Sequence, residues 1–440
     1  MHAEGSETAA TDVERPDAAA WWRPADWIVL AALVAATAAA FVLLVQGDGG
    51  ALARRALAAH RDRYFQADCP EMLEDMVDLQ GRHGRGGLVH PVFCGLTLPP
   101  TNLLIRGAGF GRLQAAWVVQ ATAALLGVAL LYVAARAAGV PRLGAALAVA
   151  LAPASAAALF WWPLPETYAL GSMAIAAGLA TAAVATRRRI PTPVHLAAGV
   201  LGLGVTITNW MVSLATLAVF EPRRRAVALA LATLAIVYAV WSVEAVSLPQ
   251  PPATPMSPRE VKRYSSRFIF HPDAGGPIPI LRAEWITPIL APPPIAIDPV
   301  DSDPPQAMVS FQKSSIFRGG PLAVAATVAW LSALALGLYG LAAGPVDPRF
   351  RLVLGAVLAG QVVLHLLHGE ETFLYSLHFL PVLLLTAAMG TTTRFGRASE
   401  ALLALTIVLA LANNLGRLRE VVEFPLPPPP PASTMDSSFR

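Results

Sequence analysis

Long apolar runs, each close to the length needed to cross a bilayer, constrain this chain more than any other feature of its sequence. A helix needs about 20 apolar residues to cross hydrocarbon about 30 Å thick. The first run, residues 27–45, has tryptophans at 21, 22 and 27 as interfacial anchors. The later runs are residues 115–135, 143–162, 168–186, 226–248, 321–343, 352–367, 373–390 and 401–415. The sequence therefore predicts an all-α polytopic membrane protein with about 10–12 transmembrane segments.

Composition agrees with this prediction. Charged residues make up only 14% of the 440 residues, whereas soluble proteins contain roughly 25%. The net charge of +3 is too small to indicate a nucleic-acid partner. The bilayer is therefore the first predicted partner, and protein partners are left open.

Short arginine-rich loops between the runs predict how the helices are oriented. They are residues 136–142, 187–189, 223–225, 349–351 and 394–397. The positive-inside rule places these loops in the cytoplasm. Two loops on the same side of the membrane must be connected by an even number of crossings. Residues 194–220 lie alone between the second and third loops, so one long tilted helix there would give an odd number. A hairpin with its tip near residues 208–210 would give an even number. A hairpin tip at membrane depth needs protein or a water-filled cavity around it, which makes Asn209 and Trp210 candidate cavity-lining residues.

An acid-rich stretch, residues 62–91, follows the first run and is predicted to be a large outer loop. Its side depends on residues 92–105. If that segment spans the membrane, the loop is cytoplasmic, and the arginines that follow the first run favour this arrangement. Pro99 and Pro100 lie inside the segment, where each costs a helix about 3 kcal/mol. We therefore predict a re-entrant or interfacial element, an outside loop and a cytoplasmic N-terminus.

The chain divides into five parts on these patterns. They are a disordered tail (1–26), a transmembrane core (27–248) that includes the first outer loop (46–91), a proline-rich outer loop (249–319), C-terminal transmembrane helices (320–416) and a proline-rich tail (417–440). The acidic N-terminus lacks the basic start of a secretory signal. The prolines of residues 249–319 predict extended segments packed over the membrane face.

Acidic residues outside the apolar runs are the main candidates for chemistry. Asp68 comes directly before the predicted start of a helix, so it is either a helix cap or a base at the membrane face. Glu166 opens the helix at residue 168, where a negative charge is also favourable without any catalytic role. Residues 368–381 add Glu371, Tyr375 and His378 at the same face, either as cavity-lining residues or as packing residues.

The two cysteines and the absence of known motifs limit the chemistry further. Cys69 and Cys94 form a disulfide if the first loop faces an oxidising compartment, or else they are two buried thiols. There is no Walker loop, dinucleotide fingerprint, HExxH motif or CxxC pair. No metal site and no cofactor are predicted, and a need for a divalent metal is left open.

The order of these parts resembles the GT-C superfamily of polyprenyl-phosphate-sugar-dependent glycosyltransferases. The nearest branch is that of bacterial protein-mannosyltransferase-like and lipid A aminoarabinose or galacturonic acid transferase-like proteins. A first helix is followed by the acidic loop RYFQADCPEML, and then by VHPVF, where relatives often have a lysine-proline-proline-leucine motif. QATAALLGVALLYVAARAAG precedes a cytoplasmic turn, LPETYALG lies on the second outer loop, and GLGVTITNW matches a glycine-rich hairpin. The resemblance covers residues 27–250.

The resemblance implies an inverting glycosyltransferase with a polyprenyl-phosphate sugar as donor. Asp68, with Asp62 as second choice, corresponds to the general base that activates the acceptor hydroxyl. Glu166 corresponds to a second outer-loop acid. The candidates for holding the donor phosphate are Arg82, Arg85, His90, Lys262 and Arg263. Asn209 departs from the family pattern, because relatives commonly have a lysine there.

Two other functions remain open on the sequence. A secondary transporter would place ionisable residues at mid-membrane and show repeated halves. An inactive relative would serve as a membrane scaffold in polysaccharide assembly, which the asparagine at 209 supports. The expected location is a bacterial inner membrane. The sequence does not identify the sugar or the acceptor.

Overall fold

The fold is built almost entirely from helices. A computed structural model describes residues 21–59, 63–81, 89–249, 269–298 and 307–426. The helices are α1 (Pro24–Gln46), α2 (Asp48–Ala58), α3 (Cys69–Val77), α4 (Phe93–Ala108), α5 (Arg112–Ala137), α6 (Arg142–Ala154), α7 (Ala156–Trp161), α8 (Tyr168–Ala185), α9 (Thr192–Val205), α10 (Trp210–Phe220), α11 (Arg223–Ser247), α12 (Pro277–Trp285), α13 (Gly320–Ala343), α14 (Pro348–Leu367), α15 (Ser376–Met389) and α16 (Gly396–Glu423). Strands β1 (Ile295–Ile297) and β2 (Met308–Ser310) form an antiparallel pair.

The predicted all-α multi-pass architecture is confirmed. Within the described ranges, eight helices are long and apolar enough to cross a membrane. They are α1, α5, α8, α11, α13, α14, α15 and α16. Helices α6, α9 and α10 are apolar but shorter. The predicted total of about 10–12 segments is reached only when these short helices are counted.

The arginine-rich loops meet at one end of the bundle, which we call the basic end. Arg187 Nε donates to the carbonyl of Ala137 at 2.8 Å, which joins the first two of these loops. Arg225 donates to the carbonyl of Ile190 at 3.4 Å. The guanidinium of Arg349 lies 5.2 Å from the ring centroid of Phe220. The end of the bundle opposite these loops is the distal end.

Helix α1 begins at the basic end. The buried Asp26 carboxylate accepts hydrogen bonds from Arg136 Nε at 2.8 Å, Arg142 Nε at 3.1 Å and the Tyr132 hydroxyl at 3.0 Å. Helix α1 therefore ends at the distal end, where the first loop begins.

Residues 24–26 belong to this packed helix, so the part of the predicted disordered tail that the structure describes is not disordered. Likewise α16 continues to Glu423, past the predicted end of the last helix at residue 416.

The predicted segment 92–105 lies in a continuous helix, α4, which begins at Phe93 and contains both prolines. At its start, the amide of Gly95 donates to Glu244 Oε1 at 2.7 Å, near the distal end of α11. Further along, the Thr101 hydroxyl donates to the carbonyl of Met76 in the first loop at 2.5 Å. Helix α4 therefore begins and ends at the distal end, alongside α3. At 16 residues it is about 24 Å long.

Residues 194–220 form the two-segment hairpin that helix parity requires. Helix α9 ends at Val205, α10 begins at Trp210, and residues 206–209 form the tip. His195 Nε2 lies 3.0 Å from Glu221 Oε1, so the start of one helix meets the end of the other at the basic end. The observed tip includes Asn209, as predicted.

The proline-rich loop covers the distal end with more regular structure than its composition predicts. It contains α12 as well as the strand pair, in which Ile295 is opposite Ser310. The amides of Ala156 and Ala157 donate to the carbonyls of Ile289 and Pro288, which fastens the loop to the bundle. Prolines thus limit the length of the elements here without excluding a short helix.

Candidate functional site

The first loop is fastened to the distal end by backbone and aromatic contacts. The amide of Phe65 donates to the carbonyl of Val309 on β2 at 2.9 Å, and the amide of Val309 donates to Arg63 at 2.9 Å. The Phe65 ring is fully buried, with centroids 4.7 Å from Phe311 and 5.1 Å from Phe373. Phe65 and Gln66 both have left-handed backbones, with φ of 57° and 58°. Since side chains of this kind rarely adopt that conformation, the surrounding packing holds the turn.

Asp68 follows this turn and is exposed at the N-terminus of α3. Its backbone carbonyl accepts from Met72 at 2.9 Å. Its side chain does not make a capping hydrogen bond to helix α3. The cap interpretation of Asp68 is therefore not supported, and Asp68 is an exposed residue at the distal end.

A buried group of ionisable residues, which we call the acid–histidine cluster, lies beside this turn. It consists of His271, Asp273 and Glu370. His271 Nε2 lies 3.2 Å from Glu370 Oε1, and His271 Nδ1 lies 3.8 Å from Asp273 Oδ2. Lys313 Nζ lies 3.4 Å from Asp273 Oδ1. The Gln66 side-chain amide donates to Glu370 Oε2, which connects the first loop to the cluster.

Glu371 points to a different set of partners from its neighbour Glu370. Its side chain accepts a hydrogen bond from the Ser310 hydroxyl on β2. Its second oxygen, Oε1, is buried and has no hydrogen-bond partner among the described residues. Burial raises the pKa of Glu371 to about 7, although the bonds from Ser310 and nearby amides act in the opposite direction. A carboxyl group that titrates near neutral pH is suited to exchange protons.

A cavity of about 450 Å³ opens next to the acid–histidine cluster. His271, Pro277, Ile280, His365, His368 and Gly369 are among the residues that line it. It lies between the start of α12 and the end of α14, and an antiparallel bridge between Ile269 and His368 holds these segments together. Its volume lies within the range of small-molecule binding sites.

The residues predicted to line a cavity do not line this one. Tyr375 and His378 pack with Tyr168 in the bundle interior, with Tyr168 centroids 6.3 and 5.7 Å away. Asn209 is buried at the hairpin tip, where its Nδ2 lies 3.5 Å from the carbonyl of Gly171. Trp210 begins α10 and is half-buried. Glu371 lies beside the cluster.

His90, one of the candidates for holding the donor phosphate, lies against the hairpin tip. Its Nδ1 lies 2.6 Å from the carbonyl of Val205 and 3.3 Å from the Thr206 hydroxyl, at the hairpin tip. Burial lowers the pKa of His90 to about 4, although the bond to Val205 acts in the opposite direction. The imidazole is therefore neutral at pH 7, and its observed role is to join the end of the first loop to the hairpin.

Glu166 is buried rather than exposed at its helix start. Gln120 Nε2 donates to the backbone carbonyl of Glu166, and Trp117 Nε1 donates to Pro163 at 2.7 Å. These bonds hold the second distal loop against α5. The other predicted site residues, Asp62, Arg82, Arg85, Lys262 and Arg263, lie outside the described residues.

Cys69 and Cys94 are both buried, and no disulfide joins these two described residues. The second of the two alternatives is therefore observed: the two cysteines are separate buried thiols. Burial raises the pKa of the Cys94 thiol, and the nearby carboxylates of Asp75 and Glu244 act in the same direction.

Sequence reasoning missed His271 and Asp273. The stretch FHPDAGG carries a histidine and an acid on either side of a proline, followed by two glycines, which indicates a turn. Nothing in that spacing points to Glu370, almost a hundred residues later. The cluster is formed by tertiary packing and has no local motif.

Glu284 on α12 provides a test of how the distal loop responds to pH. Burial raises the pKa of Glu284 from 4.5 to about 8. Between these values the folded protein binds more protons than the unfolded protein, so the free energy of unfolding falls as pH rises from about 4.5 to 8. We expect Glu284→Gln to match wild type at pH 5 and to exceed it at pH 9 by roughly 2–4 kcal/mol. Thermal unfolding of both proteins in detergent across this range measures the difference, and parallel curves would contradict it.

A search of protein-family models finds none that matches this chain, and a search of curated proteins finds no similar sequence. The class that the fold and site define is an all-α, multi-pass membrane protein with a buried acid–histidine cluster at one end of the bundle.

Proposed function

We propose that this protein is a membrane glycosyltransferase of the GT-C type. It transfers a sugar from a polyprenyl-phosphate donor to an acceptor hydroxyl at the distal end, with inversion. The observation that carries the proposal is the position of Asp68. This exposed carboxylate follows Gln66 by two residues, and Gln66 is bonded to Glu370 beside a cavity.

The chemistry requires a base close to the membrane surface. The polyprenyl chain stays in hydrocarbon, so the sugar and phosphate lie at the interface. Asp68 accepts the acceptor's proton while its oxygen attacks the anomeric carbon, and the lipid phosphate leaves with the electron pair of the broken glycosidic bond. Lys313 of the proline-rich loop supplies an amine at this end. Arg82 and Arg85 belong to the first loop, and Lys262 and Arg263 belong to the proline-rich loop. Cations of this kind stabilise the departing phosphate.

Purified protein in proteoliposomes tests the proposal directly. We expect labelled sugar to move from a polyprenyl-phosphate hexose or pentose to an acceptor in membrane extract. Liposomes without protein provide the background. Failure of wild-type protein to consume any donor of a hexose, aminopentose and uronic acid series would remove the proposal.

The proposed sidedness places the distal end outside a bacterial inner membrane and the basic end in the cytoplasm. A cysteine at Gln80, which is exposed in the first loop, is expected to react with a membrane-impermeant maleimide in intact cells. A cysteine at Arg189, exposed at the basic end, is the matched control and is expected to react only after lysis. The native cysteines are buried and give little background. The reverse pattern would place the site in the cytoplasm.

A second candidate function is solute transport, because helices α14 and α15 carry buried polar side chains. Gln361 has no partner for either side-chain amide atom within the described chain, and neither His365 Nδ1 nor His378 Nε2 has one. Polar groups of this kind inside a bundle often mark a pathway. Solute flux that survives Asp68→Asn but is lost in Gln361→Leu would favour the transporter.

A further inference from the structure

The acid–histidine cluster brings together donor atoms suited to a metal ion. The ligand atoms of His271, Asp273 and Glu370 all lie within 4.8 Å of one another. Two ligands bound to one ion at about 2.1 Å and a near-right angle are about 3 Å apart. The observed 3.2 Å between His271 Nε2 and Glu370 Oε1 fits that geometry.

The charge balance of the cluster also favours a cation. Asp273 and Glu370 are both buried, and buried carboxylates are costly unless positive charge compensates them. Lys313 Nζ lies 3.4 Å from Asp273 Oδ1, and the Lys313 side chain is 40% exposed. The other oxygen, Oδ2, lies 3.8 Å from His271 Nδ1, which accepts a hydrogen bond from the Asp273 amide at 3.2 Å, so the nitrogen facing the ion would be Nε2. A divalent ion between these groups would add positive charge directly next to both carboxylates.

We propose that His271, Asp273 and Glu370 bind one divalent first-row transition-metal ion, with Mn²⁺ and Zn²⁺ as the best fits. One imidazole nitrogen with two carboxylates suits these ions. Ca²⁺ fits less well, because it takes 6–8 oxygen ligands. His271 also lines the 450 Å³ cavity, so the remaining coordination positions face a space that water or a ligand oxygen can enter.

Gln66 connects this ion to the first loop. It donates to Glu370 Oε2, whereas Oε1 is the oxygen 3.2 Å from His271 Nε2, and so it orients the carboxylate as outer partners of metal ligands do. Binding of the ion therefore restrains the turn that precedes Asp68. The site does not depend on the proposed transferase activity, and its binding is measured without any sugar donor.

Titration of the full-length protein in nanodiscs, after treatment with a chelator, tests the site. Loss of the free Mn²⁺ electron paramagnetic resonance signal is expected to show one ion bound per chain, and Zn²⁺ is expected to displace it. His271→Gln and Asp273→Asn are each expected to weaken binding at least tenfold. His368→Gln is the matched control, because His368 lines the same cavity outside the cluster, and its affinity is expected to stay within twofold of wild type.

A second measurement needs no variant. Mn²⁺ is expected to raise the unfolding temperature of wild-type protein, because it binds the folded state. It is also expected to slow proteolysis of the first loop through the contact of Gln66. The proposal is overturned if wild type shows no saturable binding of Mn²⁺ or Zn²⁺, or if both cluster variants keep wild-type affinity. It is also overturned if the ion changes neither stability nor cleavage.

Discussion

Asp68→Asn is expected to reduce sugar transfer by about 10²–10⁴-fold, the range typical for removing a general base. Asparagine has nearly the same shape as aspartate but cannot accept the proton of the acceptor hydroxyl. Since Asp68 is exposed and makes no capping bond to α3, the substitution is expected to leave the fold intact. Initial rates with labelled donor, at saturating acceptor, measure the effect, and an unchanged unfolding temperature excludes a folding defect.

The matched control for this variant is Glu71→Gln. Glu71 is also an exposed acid, lies one turn further along α3 and carries the same charge. Its replacement is expected to change the rate less than threefold. Equal losses in both variants would mean that the negative charge of the loop, rather than a base at Asp68, supports activity. Full activity in Asp68→Asn would exclude the mechanism, whichever sugar is transferred.

Gly340→Ala is expected to destabilise the bundle by about 3 kcal/mol, the upper part of the usual range for overpacking. Helix α13 crosses α15 at Gly337 and Gly340, where the two backbones touch. A Cβ atom on Gly340 would overlap the carbonyl of Met389, and one on Gly337 would overlap the backbone of Ala387. Backbone atoms cannot rotate away, so the helices must separate. Small residues at such crossings are what allow membrane helices to pack closely.

The control for this prediction is Gly355→Ala on α14. A Cβ atom at Gly355 would meet no other atom within 4 Å. Its replacement is expected to be neutral or to stabilise the protein by at most about 1 kcal/mol, since alanine favours the helix. Unfolding in detergent, followed by circular dichroism, compares the two variants with wild type. A Gly340→Ala protein as stable as Gly355→Ala would show that α13 and α15 do not pack this closely.

Features that depend on local composition were predictable. Apolar runs of bilayer length predict the long helices, because each run must bury its backbone polar groups within itself. Helix parity predicts the hairpin of residues 194–220, since an odd number of crossings cannot bring Arg223 to the same end as Arg187. The two prolines of α4 do not interrupt that helix, which packs against α3 and is bonded through the amide of Gly95 to Glu244.

The candidate site was predictable only in part. Asp68 and Glu371 are recognisable as acids between apolar runs. The pKa of Glu371 depends on burial beneath β2, which no local pattern reports. His90 is a candidate phosphate ligand in the sequence. Only the surrounding burial, which outweighs the opposing effect of the bond to Val205, makes it neutral.

The sequence by itself determined that this chain is a multi-pass helical membrane protein with an acidic first loop and basic connections between helices. Those properties follow from hydrophobicity and charge, which act residue by residue. The tertiary structure alone decided that Gln66, His271, Asp273 and Glu370 meet in one buried cluster beside a cavity. Contacts between residues that are distant in the chain depend on which helices pack together, and apolar runs of similar length carry little information about their neighbours.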